Sequence, residues 1–319
     1  MDTDTRAEAA DRRRPPSKLS QLKLSTWRGV LVRAVKGFMD DNCTDWAAAL
    51  TYYGVLAVFP SAIVVLSLVG LIAKPEDTLD TLLDVARQLA PGSVESIKDP
   101  IAQVMASRDT AKFLLSFGLI GAIWSASGYI GAFTRASNAI YEVEEGRPFY
   151  RLRPLQLGLT AVALVLLAVV AAALVFTGPL ARAIGDALNL GSAPVTAWEY
   201  GKWPVLVVIV ALLLSLMFWI APNVRQPRFR WLTVGGAVAL VVWALASLGF
   251  GTYLANFGSY NKTYGTLGAI IGFLVWLYLS NCAVMLGVEI NAELQRGRRM
   301  QAGDPKPESP ILPPKAEAN

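Results

Sequence analysis

LQLGLTAVALVLLAVVAAALVF, residues Leu155–Phe176, carries no charged side chain. A helix on the surface of a soluble domain shows one apolar stripe and one polar face. This segment is apolar all round and is long enough to cross hydrocarbon, which takes roughly 20 such residues. Five more windows read the same way. The full set is Trp46–Ala73, Phe113–Thr134, Leu155–Leu180, Trp203–Pro222, Trp231–Leu254 and Thr266–Ile290. They predict an all-α fold, a polytopic membrane helix bundle of about six transmembrane helices. Composition agrees: 54% of the chain is hydrophobic and 17% charged, against about 45–50% and 25% in soluble domains.

Lys and Arg set an orientation for these spans. The N-terminal segment carries Arg12, Arg13, Arg14, Lys18, Lys23, Arg28, Arg33 and Lys36. The second connection carries Arg147, Arg151 and Arg153, the fourth Arg225, Arg228 and Arg230, and the C-terminal segment Arg296, Arg298 and Arg299. The intervening connections are poorer in bases or richer in acids. Both termini are therefore expected in the cytoplasm. The opening MDTDTRAEAADRRRPPSKLSQ has no apolar h-region and reads as a tail, not a secretory signal.

The expected organisation is a disordered tail over 1–20, a six-span membrane domain over 21–295 and a second disordered tail over 296–319. The last reads so because QAGDPKPESPILPPKAEAN is rich in proline and charge. Amphipathic helices are expected at both surfaces. Leu24, Trp27, Leu31, Ala34, Val35 and Phe38 recur at helical spacing beside basic residues. Such a helix either lies on an anionic leaflet or packs against the ends of the bundle. The outer loop 74–112 contains PEDTLDTLLDVARQLAPG, a helical pattern from Pro75 to the Pro91-Gly92 stop. Capping of the bundle is its default role.

The chain has no histidine. That removes histidine acid–base chemistry and imidazole metal sites, and no ATP-binding motif is present. No cofactor, no metal and no enzymatic activity are expected. The charge of +5 is explained by topology, so no nucleic-acid partner is expected either. Cys43 and Cys282 read as small buried residues, not as a disulfide.

Polar residues near the spans are the candidate pathway or gate. Arg135 and Glu289 approach one membrane boundary, as does Asp45, and Arg135 could pair with Glu289 or Asp45. Such pairs either lock helix ends or close a cavity and bind a phosphate-bearing headgroup. Tyr52 and Tyr53 in the first span, with Trp124 and Ser127 in the second, either pack helices or line a cavity. Between the fifth and sixth spans, NFGSYNKTYGTLGA (Asn256–Ala269) is either a turn or an outer mouth formed by Asn256, Tyr260, Asn261, Lys262 and Tyr264.

Several strings resemble the YihY/virulence factor BrkB family. They are AAALTYYGVLAVFP (Ala47–Pro60), IWSASGYIGAFTRASNAIYEVEE, APNVRQPRFRW and GSYNKTYGTLGAIIGFLVWLYLSNCAVMLGVEINAEL. The resemblance covers roughly Lys36–Arg296 and supplies no catalytic residues. It implies a multi-pass bacterial inner-membrane protein, related to transport and including export of envelope lipid. An older family label, ribonuclease BN, conflicts with a chain that lacks the histidines of metal-dependent ribonucleases. The expected function is translocation or export of lipid or another amphipathic envelope substrate. The expected partners are membrane lipids, anionic headgroups among them, and a homo-oligomer stays open. The alternative is a non-transporting membrane scaffold or envelope-assembly factor.

Overall fold

The computed structural model describes residue 16 and residues 19–72, 108–175, 192–226, 229–256, 266–304 and 310–318. The described residues form a short 3₁₀ turn, Leu19–Gln21, and seven α-helices. These are α1 Leu24–Asp40, α2 Cys43–Ile72, α3 Arg108–Ile140, α4 Phe149–Val175, α5 Ser192–Ile220, α6 Val234–Asn256 and α7 Thr266–Gln301. The outer loop 74–107 and the stretch 257–265 lie outside the described residues, as does nearly all of 1–18.

Among the described residues, four segments are long and apolar enough to span a bilayer: Phe149–Val170, Thr196–Ile220, Val234–Tyr253 and Ile270–Gln301. Helices α2 and α3 cover the other two expected windows as far as Ile72 and beyond Thr134. Large apolar side chains lie exposed along these helices, among them Val165, Leu167 and Val169 of α4 and Val241, Leu245 and Leu248 of α6. Hydrocarbon in place of water makes that exposure favourable. The fold is an all-α polytopic membrane bundle.

Two compact units divide the chain. The first comprises Met1–Trp46, Phe133–Val242 and Cys282–Asn319, and the second Ala47–Ala132 and Trp243–Asn281. In the first, Phe133 of α3 stacks on Phe218 of α5 with ring centroids 6.0 Å apart, and α4 packs on α5. Helix α7 crosses α6 at small residues: a Cβ on Gly287 would sit 2.7 Å from the Gly235 carbonyl oxygen. In the absence of a hydrophobic drive, such close backbone contact holds membrane helices together. In the second unit, α6 and α7 are joined by reciprocal bonds. Trp243 Nε1 donates to Ser280 Oγ at 3.1 Å and Trp276 Nε1 to Ser247 Oγ at 3.0 Å.

Turn chemistry fixes two corners of the first unit. Asn42 takes φ 53° between α1 and α2. Its N–H bonds the Met39 carbonyl, and its own carbonyl receives the N–H groups of Asp45 and Trp46. Asparagine tolerates this left-handed conformation better than most residues. After α3, Glu142 takes φ 56° while the N–H groups of Tyr141, Glu142 and Val143 cap the helix end.

Helix α1 resolves its two expected roles in an unexpected way. It packs in the first unit through Val30 and Ala34, both buried. Leu22, Val30 and Leu294 form a small core with Trp27 against it. Of the expected stripe, Leu24, Leu31 and Val35 are instead 85%, 52% and 66% exposed. The helix has one apolar face against the protein and another that is open.

Disorder was expected over 296–319, whereas residues 296–304 and 310–318 are among those the structure describes. Helix α7 continues to Gln301. Residues 310–316 then dock on the first unit, with Ile311 buried and Val224 bridged to Pro314. The physical reason is that proline has few donors to satisfy. Its carbonyls suffice as acceptors: Pro313 O receives the Arg225 N–H at 2.8 Å, and the Arg299 guanidinium reaches Pro310 O at 3.3 Å.

Candidate functional site

Three polar constellations stand out in this apolar protein. Asn223 centres the first, in the first unit. It follows α5 and is fully buried. Its N–H donates to Asn138 Oδ1 at 2.7 Å. Its Nδ2 donates to the carbonyls of Glu144 at 2.9 Å and Ala316 at 2.8 Å. Its carbonyl and Oδ1 receive the N–H groups of Lys315 at 3.0 Å and Ala316 at 3.1 Å. Beside it, Arg147 grips Glu145 with two side-chain bonds of 2.7 Å and caps α5 at Ala221 O, also 2.7 Å. Lys315 Nζ donates to the α5 end carbonyls of Trp219, Ile220 and Pro222. Two cations thus sit at the negative end of the α5 dipole.

Burial alone would raise the Glu145 carboxyl. The Arg147 bonds and charge outweigh it, aided by the Asn138 amide, and hold it below its ordinary value. The sign follows from linkage: the unfolded carboxyl binds protons more readily, so stability from this pair is present above about pH 4.5 and lost as pH falls. A spin label at Ala318→Cys is expected to gain mobility reversibly on acidification below that value. The loss should be absent in Glu145→Gln, whose label is expected to be insensitive to pH in this range.

The second constellation, also in the first unit, joins α1 to the C-terminal part of α7. Arg33 Nε donates to Glu293 Oε2 at 2.5 Å. Arg296 lies 2.8 Å from Glu293 Oε1 and 2.6 Å from Glu142 Oε1. Thr26 Oγ1 reaches Gln301 Oε1 at 2.8 Å, and Gln301 Nε2 returns to Gln21 O at 2.8 Å. Glu289 is 2% exposed, and its Oε2 has no hydrogen-bond partner. It packs so tightly on Gly37 that a Cβ there would overlap its carboxylate. Asp41 hydrogen-bonds Glu289, and its carboxyl is raised by burial and then by the Glu142 charge, with Arg296 opposing.

This arrangement corrects one expectation. Arg135 is exposed, as is Asp45, whereas Glu289 is buried against Gly37 and Asp41. Among the described residues no ion pair joins Arg135 to either acid. Depth along a helix says nothing of rotation about its axis, and the two charges point different ways.

The third constellation lies in the second unit. Asn281 of α7 donates through Nδ2 to Thr51 Oγ1 of α2 at 3.1 Å and accepts at Oδ1 from Tyr129 Oη of α3 at 2.9 Å. Thr51 Oγ1 in turn donates to Ala47 O at 2.8 Å. Of the expected residues, Tyr53 packs against Gly128, and Tyr52 meets Tyr53 edge-on at 5.4 Å. Ser127 is buried, with its hydroxyl bonded to Trp124 O at 2.6 Å, so it serves its own helix. Tyr52 and Trp124 are each 61% exposed. The side chain of Asn256 and all of Tyr260, Asn261, Lys262 and Tyr264 lie outside the described residues. Asn281 was absent from the expected site, yet an amide inside an apolar span was a signal, since it must find a partner there. Asn281→Leu is expected to destabilise by about 1–2 kcal/mol, the scale of interhelical bonds in membranes. Thermal unfolding in detergent measures it, and an unshifted midpoint would leave the link without energetic weight.

A polytopic helix bundle with apolar outer faces and polar ties between its helices defines a multi-pass membrane protein. The chain belongs to the Virulence factor BrkB family, whose model matches residues 34–311. Putative ribonuclease-like protein YfkH of Bacillus subtilis is 34% identical over 261 residues, covering 81% of this chain and 92% of that protein. A UPF0761 membrane protein of Xanthomonas campestris pv. campestris is 27% identical over 285 residues, 87% of this chain and 62% of that protein. One of Alkalilimnicola ehrlichii is 28% identical over 270 residues, 81% of this chain and 56% of that protein. The chain thus spans less than two thirds of the length of these UPF0761 relatives. No solved structure matches it.

Proposed function

We propose that this family member acts in transport, as a translocator or exporter of lipid or another amphipathic envelope substrate. Its setting would be a bacterial inner membrane with both termini cytoplasmic. The observation that carries the reading is Tyr52. It is exposed on α2 in the second unit, and its hydroxyl has no hydrogen-bond partner among the described residues. A hydroxyl in hydrocarbon requires a partner, and a lipid's polar part can supply one. Trp124, from α3 of the same unit, is likewise exposed. The open apolar face of α1 would rest on the inner leaflet.

The test is leaflet exchange of labelled lipid in liposomes holding the purified protein. Exchange is expected above protein-free liposomes, with a several-fold loss in Tyr52→Phe and in the paired Lys262→Ala, Tyr264→Ala variant. No exchange above protein-free liposomes for any headgroup would sink the reading. A scaffold role is the second reading, favoured by the dense closure around Asn223 and Glu293. The ribonuclease-like name of the Bacillus relative is not carried over. The chain has no histidine. Among the described residues no group of three or more His, Cys, Asp or Glu could hold a metal ion.

A further inference from the structure

Beside the last turn of α7 lies an open groove of about 760 Å³, walled on one side by the docked segment 310–314. Arg225, Arg298 and Arg299 line it together with Gln226, Gln295 and Ile311. The charge of Arg299 is already engaged, bonded to Asp304 Oδ2 at 3.0 Å and to the Pro310 and Ile311 carbonyls. Gln226 Nε2 is bonded to Phe218 O. Arg298 differs: it is only 8% exposed, and its buried Nε has no hydrogen-bond partner. Among the described residues its guanidinium has no ion pair, and the charge that bears on it, Arg230, has the same sign. Arg225 uses its backbone N–H on Pro313 and leaves its side chain exposed in the groove.

A guanidinium cannot escape burial by losing its proton. Burying it without a counter-charge is among the costliest arrangements in a protein. Among the described residues this cost is left uncompensated, beside an open groove with the Arg225 guanidinium in its wall. We infer that the groove is an anion site in which Arg298 and Arg225 bind a phosphate group. Two planar forks suit the several acceptor oxygens and the near-double charge of a phosphomonoester better than a single carboxylate. Recognition of this kind is shared by an anionic lipid headgroup and a free phosphorylated metabolite. The assignment does not depend on the transport reading.

The test uses the full chain in detergent, titrated calorimetrically with glycerol 3-phosphate, dihexanoyl phosphatidic acid and dihexanoyl phosphatidylcholine. Binding of at least one phosphomonoester is expected, with phosphatidylcholine at least tenfold weaker. Equal binding of the first two assigns a free phosphate. Binding of phosphatidic acid alone assigns a lipid headgroup. Arg298→Met is expected to weaken binding at least tenfold, and Arg298→Lys less, because charge remains while the fork is lost. Arg225→Gln, at an exposed position that folding tolerates, is expected to weaken it several-fold. Absence of binding by both phosphomonoesters would overturn the assignment. So would unchanged affinity in Arg225→Gln together with a folded Arg298→Met. Binding that appears only after Glu308→Gln would also overturn it, by making a carboxylate of the same chain the occupant.

Discussion

Asn223→Ala is expected to release residues 310–316 and to lower the unfolding midpoint in detergent by roughly 5–10 °C. The side chain makes three hydrogen bonds from a fully buried position. Alanine would leave the Glu144 carbonyl and both backbone groups of Ala316 without those partners. Each buried group left unpaired costs about 1–3 kcal/mol; these three bonds are only part-buried, so the low end applies and the total is roughly 3 kcal/mol. Asn223→Asp is the sharper test. It preserves size and the Oδ1 acceptor, but it cannot donate to two carbonyls and would place a charge against them. It should therefore be at least as harmful as alanine. A freely mobile label at position 318 in both variants, beside an immobilised one in the parent, would confirm release. An unchanged label would show that Ile311 and Lys315 hold the segment without Asn223.

Glu293→Ala is the second large effect. Glu293 lies between Arg33 and Arg296 and is itself nearly buried. Removing one partner of a buried ion pair costs roughly 3–5 kcal/mol because the other charge is left unpaired. The lower end applies here: the Arg33 side chain is 31% exposed and can turn to water, and Arg296 keeps Glu142. The expected loss is roughly 3 kcal/mol, with α1 detached first. Protease cleavage near Arg33 should rise in the variant before global unfolding. The double variant Arg33→Ala, Glu293→Ala should cost less than the sum of the single changes, since each single change strands a charge. Strict additivity would show that the pair is not coupled.

The two predictions fall on residues whose importance the sequence disclosed unequally. The spans were legible because hydrocarbon asks only for length and apolarity, as Leu155–Phe176 shows. The strings EVEE and APNVR carried a family resemblance and no site reading. Their content was hidden, because Asn138, Glu145, Arg147 and Asn223 meet only when the ends of α3 and α5 are brought together. The docked segment was misread for a compositional reason. Proline and charge mark a chain that cannot build its own core, but Ile311 borrows a core already made. The stripe on α1 was legible only in part. Periodicity counts apolar residues without knowing whether protein or lipid faces them, so it placed Trp27 and Ala34, which pack, on one stripe with Leu24, Leu31 and Val35, which are exposed, and left out Val30.

The docking of residues 310–316 also has a consequence for biogenesis. Asn223 enters the membrane protein between the fourth and fifth expected spans, but its partners Lys315 and Ala316 follow all six. During synthesis the Asn223 side chain would lack its two bonds to Ala316 until residues 310–316 have left the ribosome. Closure of this site is therefore a late step: a nascent chain that stalls before residue 310 has its six expected spans yet leaves Asn223 short of two bonds, and a quality-control protease could tell the two states apart.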